Sequence, residues 1–232
     1  MVWVARLLYP RLSNYGGTFN YDATALDTVF RGEFLYTPNR PWNYGTSVPI
    51  TIPVYLPSLP VAGTLPLGWG TIDVPGLAGI REKDTLVYML GADKSLDFTS
   101  FLKTQRPSLM TLQLIDQWIL NYKKSDQLVE VLSYGAPRDE HTTFVTSSLL
   151  LNYRYDTVNP SIAGGVNING GDAFLIPAVD LAFGNAWRLH LEADLFFAQH
   201  SKDVFGISEQ QTHVLGTAAD NSQFLARLTY QF

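Results

Sequence analysis

Nine stretches of this chain carry an alternation of hydrophobic and polar residues or a strand-like composition. The sharpest is 187–197, where Trp187, Leu189, Leu191, Ala193, Leu195 and Phe197 interleave with Arg188, His190, Glu192 and Asp194. Successive side chains of an extended strand point to opposite faces, so this period predicts a strand with one apolar and one charged face. In 27–37, Phe30, Gly32, Phe34 and Tyr36 oppose Arg31, Glu33 and Thr37. In 108–120, Met110, Leu112, Leu114, Trp118 and Leu120 oppose Thr111, Gln113 and Gln117. In 142–155, Val145, Leu149, Leu151, Tyr153 and Tyr155 oppose Thr146, Ser148, Asn152 and Arg154. Weaker or two-sided patterns cover 11–21, 83–93, 160–169 and 173–184. The last, 223–232, sets Phe224, Ala226, Leu228, Tyr230 and Phe232 against Gln223, Arg227, Thr229 and Gln231, with Leu225 out of step.

The connections sort by length. Gly170-Gly171-Asp172 is a tight-hairpin signal. Numbering directions from Phe232 as an inner end puts 22–26, 94–107, 156–159 and 184–186 on the inner side. It puts 38–82, 121–141, 170–172 and 199–222 on the outer side. Three of the four inner turns are short and three of the four outer connections long, the asymmetry of a spanning barrel. Tyr21, Tyr155, Phe183, Trp187, Tyr230 and Phe232 gather toward the inner rim. Tyr36, Trp118, Tyr122, Phe197 and Phe224 gather toward the outer rim. Two aromatic girdles are expected where rings meet headgroups. The predicted fold is therefore an all-β, antiparallel, up-and-down transmembrane β-barrel with about nine or ten strands present. Nine strands do not close an even-stranded barrel. Residues 2–9, with Trp3, Ala5, Leu7 and Tyr9 on one face, are the candidate tenth; the other expectation, which the sequence favours, is the C-terminal part of a larger barrel. Two residues fit poorly. Pro177 cannot donate to a ladder, and Asp116 falls on the apolar side of its strand. A bulge or a register shift is the expected relief for each.

Composition narrows the classes. Of the 232 residues 46% are hydrophobic and 13% aromatic, and mean hydropathy is +0.02. No stretch approaches the roughly 20 consecutive apolar residues of a membrane helix. There is no cysteine, which excludes a disulfide scaffold and thiol chemistry. A net charge of −5 without a basic run argues against a nucleic-acid partner. Residues 1–6 lack a secretory signal, which an exported barrel needs, and this agrees with a truncated chain.

Several passages carry a resemblance. The ending at Phe232, with Leu228 and Tyr230 on its face, resembles the C-terminal recognition strand of bacterial outer-membrane barrels. That resemblance implies an outer membrane, its lipid, and the barrel-assembly machinery as partners. The passages 29–43 (VFRGEFLYTPNRPWN) and 82–93 (EKDTLVYMLGAD), with 224–232, resemble the C-terminal half of an uncharacterised proteobacterial outer-membrane family, domain of unknown function 1302. It implies a longer parent and the passage of hydrophobic compounds, with no assigned reaction and no residue roles.

No Gly-x-Ser-x-Gly elbow, phosphate loop or His-Glu-x-x-His occurs, and the chain gives no support for an enzyme or a cofactor. His190, Glu192 and Asp194 lie at i, i+2, i+4 beside Arg188. Alternate strand residues stand about 7 Å apart, too far to converge on one metal ion unaided. The expectation is a hydrated stripe pairing with Arg154, Arg227 or Arg31. With Glu33, these residues would line a lumen and set selectivity. His141, His200 and His213 fall in outer connections and read as solvated. The connection 38–82 is long, Pro- and Gly-rich and apolar, and carries Trp42, Tyr44, Tyr55 and Trp69. It is expected to plug the barrel, or to dock on neighbouring loops or a protein partner. Three functional readings stay open: a passive outer-membrane route for small solutes, hydrophobic ones included; a non-conducting barrel whose outer loops bind a partner; and a soluble β-sandwich binding module.

Overall fold

The computed structural model describes residues 10–46, 49–54, 68–130, 136–198, 203–204, 207–208 and 215–232. Nine long strands form the frame: β1 (Tyr15–Ala23), β2 (Thr28–Tyr44), β5 (Gly79–Leu96), β6 (Ser108–Ile119), β9 (His141–Leu150), β10 (Val158–Asn167), β11 (Ala173–Phe183), β12 (Trp187–Phe197) and β15 (Gln223–Tyr230). Shorter pieces fill the connections: β3 (Pro49–Val54), β4 (Gly68–Asp73), β7 (Leu128–Glu130), β8 (Ala136–Pro137), β13 (Asp203–Val204) and β14 (Ile207–Ser208). The described residues are mostly strand, and the only helical pieces among them are short 3-10 turns. Each of the nine long strands pairs antiparallel with the next, so the sheet is an up-and-down meander, with β7 and β8 bringing it to eleven strands. The sheet is open: β1 and β15 are its edges and do not pair with each other. Eight successive antiparallel steps leave those two edges running in the same direction. Direct closure would therefore need a parallel pair.

The register keeps two faces distinct across the whole sheet. Phe34 faces Tyr88, Leu90 faces Leu114, and Leu114 faces Val145. Farther along, Leu175 faces Leu195 and Leu189 faces Leu228. The opposite face carries Arg31 beside Asn20 and Gln113 beside Thr146; farther along it carries Asp180 beside His190 and His190 beside Arg227. This face is mixed, since Val87, Met89, Ile115 and Phe144 also lie on it. Gly32 has a local reason: the Phe19 ring lies over it, and a Cβ there would stand 2.0 Å from a ring carbon.

Several expectations need correction. The long connection 38–82 is shorter than it looked, because β2 runs on to Tyr44 and β5 begins at Gly79. A bulge between Thr37 and Arg40 makes this possible. Asn39 takes a φ of 50° there, and its N–H donates to Asp84 Oδ1 at 2.9 Å. The absorbed residue keeps Arg40 and Trp42 on the polar face. The stretch 142–155 ends early: β9 stops at Leu150, and Arg154, Tyr155 and Asp156 all have positive φ in a turn. Arg154 therefore lies off the polar face of the sheet. Pro177 needs no bulge: the β11–β12 ladder has no paired residues at Ile176 and Pro177, and its register resumes unchanged. The candidate tenth strand, 2–9, lies outside the described residues.

Candidate functional site

Two regions concentrate polar chemistry: the charged face of the sheet, and the end opposite the C-terminus where a connection folds over that face. On the face, the Arg31 guanidinium pairs with Asp93, its Nη2 donating to Oδ1 at 2.9 Å, and Asp93 also accepts the Thr111 hydroxyl at 2.8 Å. Seven of the eight residues expected to line a lumen, Arg31, Glu33, Arg188, His190, Glu192, Asp194 and Arg227, share this face. The pairing within it differs from expectation. His190 engages Asp180 through Nδ1 at 2.8 Å and Glu192 through Nε2 at 3.3 Å, so both ring nitrogens are taken by carboxylates. Asp194 accepts from Gln223 at 2.7 Å. Neither Arg31 nor Arg227 pairs with His190, Glu192 or Asp194 among the described residues. Arg31 is drawn to Asp93 because the β2–β5 register places Arg31 one step from it.

The capped end was not foreseen. After β6, residues 120–127 turn back over the polar face, and β7 pairs with Asn43 and Tyr44 on β2. That crosses β5. Leu128 and Ile119 then bury Trp42 to 4% exposure, with Tyr44 and Tyr122 packed around them. Among the described residues, Trp42, Ile119, Leu128 and Val129 are the only fully buried large hydrophobics in the protein. Tyr122 thus belongs to this small core rather than to an aromatic rim, and its hydroxyl donates to the Arg138 carbonyl at 2.7 Å. Ion pairs pin the connection. Asp126 takes Arg81 at 2.9 Å and Lys83 at 2.5 Å, and Arg138 pairs with Glu130. The hydrogen bond from Lys83 is the main reason Asp126 stays below the usual carboxylate range; the Lys123 N–H and the Arg81 charge add to it. Burial lowers the Arg138 guanidinium from its ordinary value, and the Arg40 charge lowers it further.

Of the residues expected to plug or dock, Trp42 and Tyr44 sit in strand β2 within this core. Trp69 lies in β4, which pairs with β3 in a separate hairpin. Tyr55 falls outside the described residues, as do His200 and His213. The C-terminal residues Leu228 and Tyr230 sit on the apolar face of β15, and Tyr230 packs against Trp187 at 4.9 Å. Phe232 follows two residues after the strand, with its ring 6.2 Å from that of Tyr230.

Asp116 stays on the apolar face without a register shift, only 1% exposed. Its relief comes from neighbours: Thr143 Oγ1 donates to Oδ1 at 2.6 Å, and His141 Nδ1 lies 2.8 Å from Oδ2. Trp118 stacks on His141 at 5.3 Å and shields the pair. His141 is therefore a strand residue with a buried partner, not a solvated loop residue.

No known family, no curated protein and no solved structure matches this chain. What the fold and site define is an antiparallel β-meander with one apolar face, one ionic face and a packed cap at one end.

Proposed function

We propose that this chain forms the wall of a β-barrel in the outer membrane of a Gram-negative bacterium and provides a passive route for small solutes. One observation carries the reading: the apolar face is broad and has no second layer over it among the described residues. Phe19, Phe34, Leu90, Leu112, Ile162, Trp187, Leu191, Phe197, Phe224 and Leu228 are all exposed. A soluble sandwich would bury such a face against a second sheet about 10 Å away. Lipid is the solvent that suits it, and the ionic face then turns toward water. A row of rings at the C-terminal end, Phe183, Trp187 and Tyr230, suits a headgroup level. Because β1 and β15 run the same way, closure with antiparallel pairs throughout requires an odd number of strands beyond the nine.

The mixed inner face supports solutes with apolar parts. Leu35, Val87, Met89 and Ile115 line a shallow trough beside Glu33 and Gln113. The resemblance to the uncharacterised outer-membrane family agrees with this reading. The capped end favours a second reading, a barrel that does not conduct and binds a partner through its connections. Planar-bilayer recordings on the full-length protein separate the two: discrete conductance steps support the route, and a silent bilayer supports the interaction barrel. Partition into the aqueous phase without detergent would overturn both.

A further inference from the structure

We propose that Arg40, Arg138 and Trp42 form a binding site for an oxyanion group, a carboxylate or a phosphate, at the capped end of the ionic face. The proposal is independent of whether the sheet encloses a pore. Both guanidinium groups lie over the Trp42 ring, with Arg40 Cζ 4.7 Å and Arg138 Cζ 5.3 Å from its centroid. The ring attracts their charge but offers no lone pair to their N–H groups. Two of the nearby carboxylates are already engaged, Glu130 by Arg138 and Asp126 by Arg81 and Lys83, while the Asp139 charge acts on Arg138 without an ion pair among the described residues. Arg40 has no carboxylate partner among the described residues.

The cluster is therefore rich in donors and short of acceptors. Among the described residues Trp42 Nε1 and Arg138 Nε are buried without an acceptor, and Trp42 as a whole is 4% exposed. Buried donors of this kind are costly, and two guanidinium charges close together add repulsion. A ligand with two or more acceptor oxygens and a negative charge answers all three needs. The planar guanidinium fork fits carboxylate and phosphate oxygens in pairs. Leu128 and Ile119 pack against the indole and hold it in place, with Tyr44 beside them.

The test is titration calorimetry on the full-length protein in detergent, with sodium benzoate and with inorganic phosphate, each against sodium chloride of equal ionic strength. The wild type should bind at least one probe saturably, at one site per chain, with chloride giving no such isotherm. Arg40→Gln should weaken that binding about tenfold or more, since a charged hydrogen-bonding partner is lost. Trp42→Phe, which keeps the ring and removes the N–H, should weaken it several-fold. Arg106→Gln, in a connection at the opposite end, should bind as the wild type does. Arg40→Gln should also melt no lower than the wild type, because it removes an unpaired charge. If it does not fold, Arg40→Lys carries the same test, keeping the charge and losing the fork. Absence of saturable binding in the wild type, or unchanged affinity in the Arg40 variant, overturns the proposal.

Discussion

Asp116 is the residue that asks most of its surroundings. A carboxyl on the apolar face is expensive unless its oxygens are held, and here Thr143 and His141 hold one each. The sequence showed the misplaced acid but not its partners, because Asp116 meets Thr143 only through the pairing of β6 with β9. The same limit applies to the ionic face. The faces of Arg31, Glu33, Arg188, His190, Glu192, Asp194 and Arg227 follow from alternation alone. Which acid meets which base depends on register between strands, so Asp93 and Asp180 were missed as partners. Truncating Asp116 would strand two donors. Asp116→Ala should cost about 1–3 kcal/mol in urea unfolding from detergent micelles. Asp116→Asn, which keeps an acceptor, should cost less. A more stable alanine variant would mean the cluster is a tolerated burden rather than a support.

At the scale of elements, all nine long strands were legible, most from a period-2 pattern and the rest from strand-like composition between turn signals. Their ends were less so. Pro38, Asn39 and Pro41 read as loop, yet a bulge anchored on Asp84 carries β2 through them. The return of β7 onto β2 left no local signal at all: two residue pairs across that distance, Asn43 with Val129 and Tyr44 with Leu128, are invisible to periodicity. The connection between β6 and β9 is held by ion pairs as well as by Leu128, and that makes it sensitive to acid. Asp126 is held below its ordinary value in the folded chain. Its contribution to stability is therefore present above the unfolded carboxylate value, about 4, and is lost as pH falls through the folded one. Limited proteolysis should cut 120–140 faster as pH drops below about 4, with the neighbouring strands still protected. Asp126→Asn should show the faster cleavage already at neutral pH. Equal cleavage of wild type and variant at neutral pH would show that the ion pairs do not pin the connection.

At the scale of the whole molecule, the unusual fact is where the hydrophobic residues are. A chain that is 46% hydrophobic keeps four large hydrophobics fully buried among its described residues and exposes many of the others along one face of an open sheet. Topology and the two faces were legible because both are repeated in every strand. Closure was not, since it depends on an odd strand count and on partners for two edges that run in the same direction. The account stands on the apolar face meeting lipid. The chain has no cysteine, so single cysteines can be placed without interference. Leu189→Cys, Leu191→Cys and Leu195→Cys would be spin-labelled and reconstituted in lipid vesicles beside His190→Cys, Glu192→Cys and Asp194→Cys. The labels' collision rates with oxygen and with a water-soluble nickel complex then report lipid and water. Strict alternation is predicted, with the leucine positions favouring oxygen and the polar positions favouring nickel. Nickel access at all six positions would contradict the account.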